Sequence, residues 1–364
     1  MNTRIHQLDA LRGLAAFSVV FHHCLLVFPA FFAANFHKEI PSIISILTYS
    51  PFHLLWAGHE AVILFFVLSG FVLSLPYFNG SSLPYKNYLI KRIIRLYIPY
   101  IVSIIISALL MMVISQHGID SLSTWFNGMW SKSLNIRDWM KLIFVLDKQP
   151  THNINTATWS LIYEMQISIV FPLLAVFVRR TSWKMALVFT VILALVRKPI
   201  IHYMAFFVLG AIIAKYMYTL KRYVKNSSYS FQGVLLCLSL ILYLNAWLNP
   251  FGLLKTNYLD LLTGLGSALL IVSGVCIEFI SKVLSHSWIV RLGEISYSLY
   301  LVHTIILLAM VYLFYQWIPI YVILVFVPIV AIFISVYFYR FIEYPTINLG
   351  RKIGVGFKLF SHSN

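Results

Sequence analysis

Charge is what this sequence has least of. Asp and Glu number 11 and Lys and Arg 27 in 364 residues, so only 10% of positions are charged. A soluble domain carries about a quarter. Hydrophobic residues make up 60% of the chain and the mean hydropathy is +0.86. So few charges cannot cover a soluble surface, and the composition predicts a polytopic membrane protein. Cysteine is nearly missing as well. Cys24, Cys237 and Cys276 each sit in an apolar run, with no CxxC pair and no metal-ligand spacing. That excludes a disulfide framework and suggests no metal site. No repeat of 20–50 residues is visible, which argues against a solenoid.

What is present in excess is positive charge, +16 net. A basic chain either binds nucleic acid or carries topology-setting Lys and Arg on its cytoplasmic loops. Position decides between them. A spanning helix needs about 20 mostly apolar residues. About ten such segments occur, near 10–33, 54–75, 96–116, 158–178, 183–197, 200–219, 231–249, 257–281, 292–314 and 319–341. The expected fold is therefore all-α, with one integral-membrane domain over 1–364 and no appended soluble domain. The longest non-apolar stretch, about 117–157, reads as an external loop with amphipathic helical pieces. Its Trp125, Trp130 and Trp139 suit a membrane interface.

With the N-terminus placed in the cytoplasm, 19 of the 27 basic residues fall on the inner side. They range from Arg4 and Arg12 through Lys221 and Arg222 to Lys358. The outer side receives 8, among them Lys38, Arg197 and Lys255. This positive-inside bias accounts for most of the excess without nucleic acid, and it puts both termini in the cytoplasm. A cleaved signal peptide is disfavoured, because Asp9, Arg12 and the His22–His23 pair interrupt what should be a clean apolar stretch.

Those same residues need a reason to lie in a membrane helix. At about 100° and 1.5 Å per residue, Arg12 and His23 are about 20° apart around the helix and roughly 16 Å apart along it. Asp9, three positions before Arg12, joins their stripe. His22 points about 100° away. Intramembrane charges normally face a bundle interior or a wet cavity. Asp9 and Arg12 also fit a snorkelling anchor at the cytoplasmic end, and His23 also fits a helix–helix hydrogen bond. Glu164, six residues into the fourth span, is expected roughly 9 Å below the outer surface, level with His23. A carboxylate beside an imidazole fixes its tautomer and raises its basicity; a protonated Glu164 bonded between helices is the alternative. Lys91, Arg92 and Arg95 precede the third span. They serve either topology or phosphate binding. His303, near mid-membrane, either lines the cavity or, the favoured reading, bridges helices, and Ser69 and Gly70 read as a close packing contact.

The stretch "LDALRGLAAFSVVFHH" resembles the opening signature of membrane-bound acyltransferase family 3, in which an Arg is followed after ten residues by a His. Arg12 and His23 match it. Six further motifs follow in the family's order: "FFVLSGFVLS" at 65–74, "KRIIRLYIPY" at 91–100, "TWSLIYEMQ" at 158–166, "FFVLGAIIA" at 206–214, "LGEISYSLYLVH" at 292–303 and "IEYPTINLGRK" at 342–352. Two departures stand out. Many members carry an acid shortly before "FF", where this chain has Ile63 and Leu64 and its nearest acid is Glu60. The aromatic residues often found after the matched Glu are replaced by "MQISIV".

The resemblance implies a bacterial inner-membrane enzyme moving an acyl group, by default acetyl, from cytoplasmic acyl-CoA to a hydroxyl of a glycan or glycolipid. It implies acyl-CoA as donor substrate and no permanently bound cofactor. Activity carries over to Arg12, His23 and Glu164. On that basis His23 is the expected base or acyl carrier and Glu164 its orienting partner. Asp9 holds Arg12, and Arg92, Arg95 and Lys91, with Arg12 as a further candidate, hold the CoA phosphates. A transporter or flippase is the rival class, and an acyltransferase of small metabolites a variant. The acceptor and the oligomeric state are left open.

Overall fold

The computed structural model describes residues 5–34, 41–81, 84–114, 118–245 and 256–360. Arg4, Lys38 and Lys255 of the charge count lie outside them. The described residues are helical, with no strand among them. Seven helices are long and apolar enough to cross a membrane. They are α4 (Gly58–Phe78), α5 (Tyr85–Val113), α9 (Trp159–Arg180), α11 (Pro199–Lys225), α13 (Thr256–Cys276), α16 (Ser296–Phe314) and α17 (Ile320–Phe338). Two shorter apolar helices, α10 (Trp183–Leu195) and α12 (Tyr229–Tyr243), join them. Together with α1 (His6–Leu26), whose polar residues set it apart, they reproduce the expected ten. The protein is a polytopic, multi-pass membrane protein. Its bilayer-facing character shows on α17, which leaves Val325, Phe326, Ile329 and Phe333 exposed.

Three boundaries differ from the hydropathy reading. The first segment does not run to 33: α1 stops at Leu26, and α2 (Pro29–Ala34) begins on a proline that lacks an N–H to continue the ladder. The third helix starts eleven residues early, so Lys91, Arg92 and Arg95 lie on α5 rather than before it. The ninth segment breaks at Ile295 into α15 (Ser287–Glu294) and α16. His303 is thereby only seven residues into its span.

The chain divides into two compact units that interleave in sequence. The first comprises 1–19, 41–82 and 170–296. In it α4 packs on α11 and α13, and α13 also packs on α12. The α4–α11 contact is backbone-close. A methyl group at Gly70 would lie 2.0 Å from the Phe207 carbonyl oxygen, and one at Gly210 would lie 2.0 Å from that of Val67. Only glycine allows that approach. Around it the rings of Phe66, Phe171 and Phe207 form a buried cluster.

The second unit comprises 20–40, 83–169 and 297–364. Here α5 packs against α18 (Tyr344–Phe360), which follows a single π-type turn at Tyr339–Glu343. Such turns often mark functional positions. The polar stretch after α5 folds onto this unit through α6 (Thr124–Asn127), α7 (Ile136–Ile143) and α8 (Thr151–Ile154). Trp130 is not an interfacial anchor. It is 0% exposed, and its indole N–H donates to Ser107 Oγ at 2.9 Å.

Candidate active site

Within the second unit the end of α1 carries His23. The polar stretch closes over this end: Ser123 donates through its hydroxyl to the Leu26 carbonyl at 2.6 Å and through its backbone N–H to Val27 at 2.9 Å. These bonds satisfy carbonyls that a helix C-terminus leaves open. They also bring Trp125 onto the His23 ring, with centroids 5.2 Å apart and planes 29° apart. Trp125 thus builds the site rather than marking an interface.

On its other side His23 meets His303 of α16. The two rings are nearly coplanar, 9° apart, and His23 Nδ1 lies 2.8 Å from His303 Nε2. The proton positions follow from the next bond. His303 Nδ1 lies 3.0 Å from the Leu299 carbonyl oxygen. A carbonyl only accepts, so His303 Nδ1 carries the hydrogen and its Nε2 is an acceptor. His23 Nδ1 must then donate to it. The lone pair of His23 is left on Nε2. His23 is half-buried, while His303 behind it is 1% exposed. A reachable base backed by a buried orienting group is the arrangement of a general-base site.

Further contacts hold His303 in place. Asn155 donates to the Leu301 carbonyl at 2.8 Å and accepts from Thr304 at 2.5 Å. Tyr300 packs its ring 5.8 Å from that of His303, and its hydroxyl lies 2.8 Å from Ser160 Oγ. These groups come from "NTATWS" at 155–160 and "YLVHT" at 300–304, two stretches far apart in the sequence.

Glu164 is paired with an arginine. It accepts from Arg92 at 2.6 Å, in a pair whose side chains are 11% and 14% exposed. Arg92 also donates to Ser168 Oγ at 3.0 Å, and Tyr88 donates to the Ser168 carbonyl at 2.9 Å. Because α5 begins at Tyr85, Arg92 is already about 10 Å up its helix, where Glu164 meets it. The partner shown for the His23 ring is His303, a residue that the sequence left as either a cavity lining or a bridge between helices.

Arg95, one turn beyond Arg92, differs from it. Its side chain is exposed, yet Arg92, Glu164, Glu343 and Tyr297 lie within electrostatic range. Glu343, on the π-type turn, is buried and accepts from Ser298 at 2.5 Å. Sequence reasoning missed it, although it sits in the "IEYP" motif. Lys91 lies with its backbone against α18, near Gly350.

In the first unit, Asp9 and Arg12 form a loose i,i+3 pair at 3.6 Å on α1. The helix is unbroken from His6 to Leu26, so the stripe that joins these positions to His23 is preserved along it. No metal-binding group of three His, Cys, Asp or Glu occurs among the described residues.

A family model described as an acyltransferase domain matches residues 5–340. Comparison with curated proteins and with solved structures gives no match.

Proposed function

The chain belongs to acyltransferase family 3, and from that premise we propose that it is an O-acyltransferase of the bacterial inner membrane. In this reading it moves an acyl group, acetyl by the family default, from acyl-CoA to a hydroxyl of a cell-surface glycan. The observation that carries the reading is the chain Leu299 carbonyl–His303–His23, which leaves a lone pair on His23 Nε2.

The step balances as follows. His23 Nε2 takes the proton of the acceptor hydroxyl as that oxygen attacks the thioester carbonyl. The C–O bond forms, the C–S bond breaks, and the departing thiolate takes the proton back from His23. His303 holds the ring in the reactive tautomer and accepts the Nδ1–H throughout. A bare hydroxyl is a poor nucleophile near neutral pH, and a positioned base supplies typically 10²–10⁴-fold.

Arg95 is the cation for the donor's phosphates. Arg92 is already neutralised by Glu164, whereas Arg95 is an exposed residue that has Glu343 and Glu164 within electrostatic range. By the charge count Arg95 belongs to the cytoplasmic half of its helix, the side from which acyl-CoA arrives. Asp9 and Arg12 hold the cytoplasmic end of α1.

The test is acyl transfer by membranes containing the His23→Ala variant. Loss of transfer with normal membrane insertion is expected. Substantial transfer by that variant overturns the assignment. Mass spectrometry of surface glycans from producing and deleted cells then identifies the acceptor, and acyl-independent uptake in place of glycan acylation supports a transporter instead.

A further inference from the structure

The first unit holds a second group of ionisable side chains, which the acyl-transfer step does not use. His59 is the second residue of α4, His202 the fourth of α11 and Asp260 the fifth of α13. Asp260 joins them: Oδ1 lies 2.7 Å from His59 Nε2, and Oδ2 lies 2.9 Å from His202 Nε2. The other nitrogen of His202, Nδ1, lies 2.6 Å from the Ala194 carbonyl oxygen.

Both nitrogens of His202 therefore face oxygen. The Ala194 carbonyl can only accept. Asp260 meets a ring nitrogen at each of its oxygens, and as a carboxylate it too only accepts. A neutral imidazole has one N–H for two such contacts, whereas an imidazolium has two. One proton more than a neutral ring carries makes every contact good.

We propose that His202 and Asp260 form a proton-binding site, holding His202 as an imidazolium, and that His59 is its port. Exposure supports the division. The side chains of His202 and Asp260 are 6% and 4% exposed, and that of His59 is 42% exposed. A proton entering at His59 Nδ1 releases the Nε2 hydrogen to Asp260 Oδ1. The carboxyl group then turns about its Cβ–Cγ bond and gives that same hydrogen to Nε2 of a His202 that is neutral before the proton arrives. One proton enters, one arrives, and no co-reactant is needed. Chains of Asp, Glu and His inside membrane proteins commonly act as such relays.

The surroundings are specific. Beside His59 on α4, Glu60 meets His53 Nε2 at 3.4 Å, and His53 Nδ1 is a buried nitrogen without a hydrogen-bond partner. Tyr243 of α12 lies within electrostatic range of Glu60. Tyr203 of α11 packs 5.3 Å from the His202 ring. What α10 presents is the Ala194 carbonyl. Beyond the far end of α13, Glu278 and Lys282 of α14 (Glu278–Leu284) pair with each other at 2.8 Å. Among the described residues the ion-pair partners of Asp260 are His59 and His202.

Nitrogen NMR of the full chain in nanodiscs, labelled with ¹⁵N in the histidine rings, tests this. At about pH 8.5 a solvated histidine, with its pKa near 6.5, is neutral. One doubly protonated ring is expected to persist there. It should vanish in Asp260→Asn and in His202→Gln, and it should remain in His53→Gln. No imidazolium signal in the wild type, or its survival in either of the first two variants, overturns the site. The wild-type spectrum alone can refute it if a variant does not fold. His59→Phe should slow deuterium exchange of the trapped proton at least tenfold; an unchanged rate overturns the port.

Discussion

One hydrogen bond decides which nitrogen of His23 can react. With Nδ1–H committed to His303, Nε2 faces the substrate; without His303 the ring is free to turn and to adopt either tautomer. His303→Ala is therefore expected to lower kcat by about 10²-fold or more, within the range that a positioned base supplies, with little change in KM for either substrate. His303→Gln, whose amide oxygen can accept from Nδ1–H, should recover part of the loss. Equal loss in both variants, or a change in KM alone, would make His303 a packing residue. At this scale the sequence was partly legible. The helical stripe distinguishes His23 from His22 because that argument needs only the turn of one helix. It could not identify His303 as the partner, since the two rings are 280 positions apart and periodicity says nothing about which helices meet. The Arg92–Glu164 pair was hidden for a related reason: counting from an assumed span end ignores how far the facing helix extends.

Between α5 and α9, two arginines one turn apart have different tasks, and substitution should separate them. Arg92 and Glu164 are mostly buried and paired, so Glu164→Ala strands a guanidinium. Breaking such a pair costs about 3–5 kcal/mol, and a large fall in thermal stability is expected. Removing both partners, Arg92→Ala with Glu164→Ala, should recover part of it, as a thermal melt in detergent can show. Arg95→Ala should instead leave the melting temperature nearly unchanged and raise KM for the acyl-CoA donor several-fold. A stability loss at Arg95 that matches the one at Glu164 would remove the distinction. The helix pair α4–α11 offers a plainer case. Gly70→Ala places a methyl against the Phe207 carbonyl. Overpacking of this kind costs typically about 1–3 kcal/mol. A sharp fall in folded yield is expected, whereas the same change at Gly233, where a methyl meets nothing within 4 Å, should be tolerated. The sequence already pointed to Gly70 as a packing residue. The early start of α5 was not readable, because its charged first turns depress the hydropathy that marks a span.

Across the whole molecule, scarcity of charge was the most informative observation. It predicted the polytopic class and the number of apolar helices, since a bilayer rewards runs of apolar residues whatever their tertiary partners. It could not show that the polar stretch near 118–158 folds into the second unit, because Asn155, Ser123 and Trp130 find partners that no local pattern encodes. The distribution of charge makes a claim of its own, about orientation. Lys221, Arg222 and Lys225 crowd the end of α11 and should be retained on the cytoplasmic side. The loop carrying Ser133 has both acids and bases, and it should face outward. Single cysteines at Ser133 and at Asn226, both exposed, can decide this in a Cys237→Ser background, since Cys237 is the exposed native thiol and Cys24 and Cys276 are buried. A membrane-impermeant maleimide added to spheroplasts, which lack the outer barrier, should label the cysteine at 133. It should reach the one at 226 only after the membrane is permeabilised. The reverse pattern would put the basic ends outside. Arg95 could then no longer receive a cytoplasmic donor, and the proposed meeting of thioester from within and hydroxyl from without would fail on geometry alone.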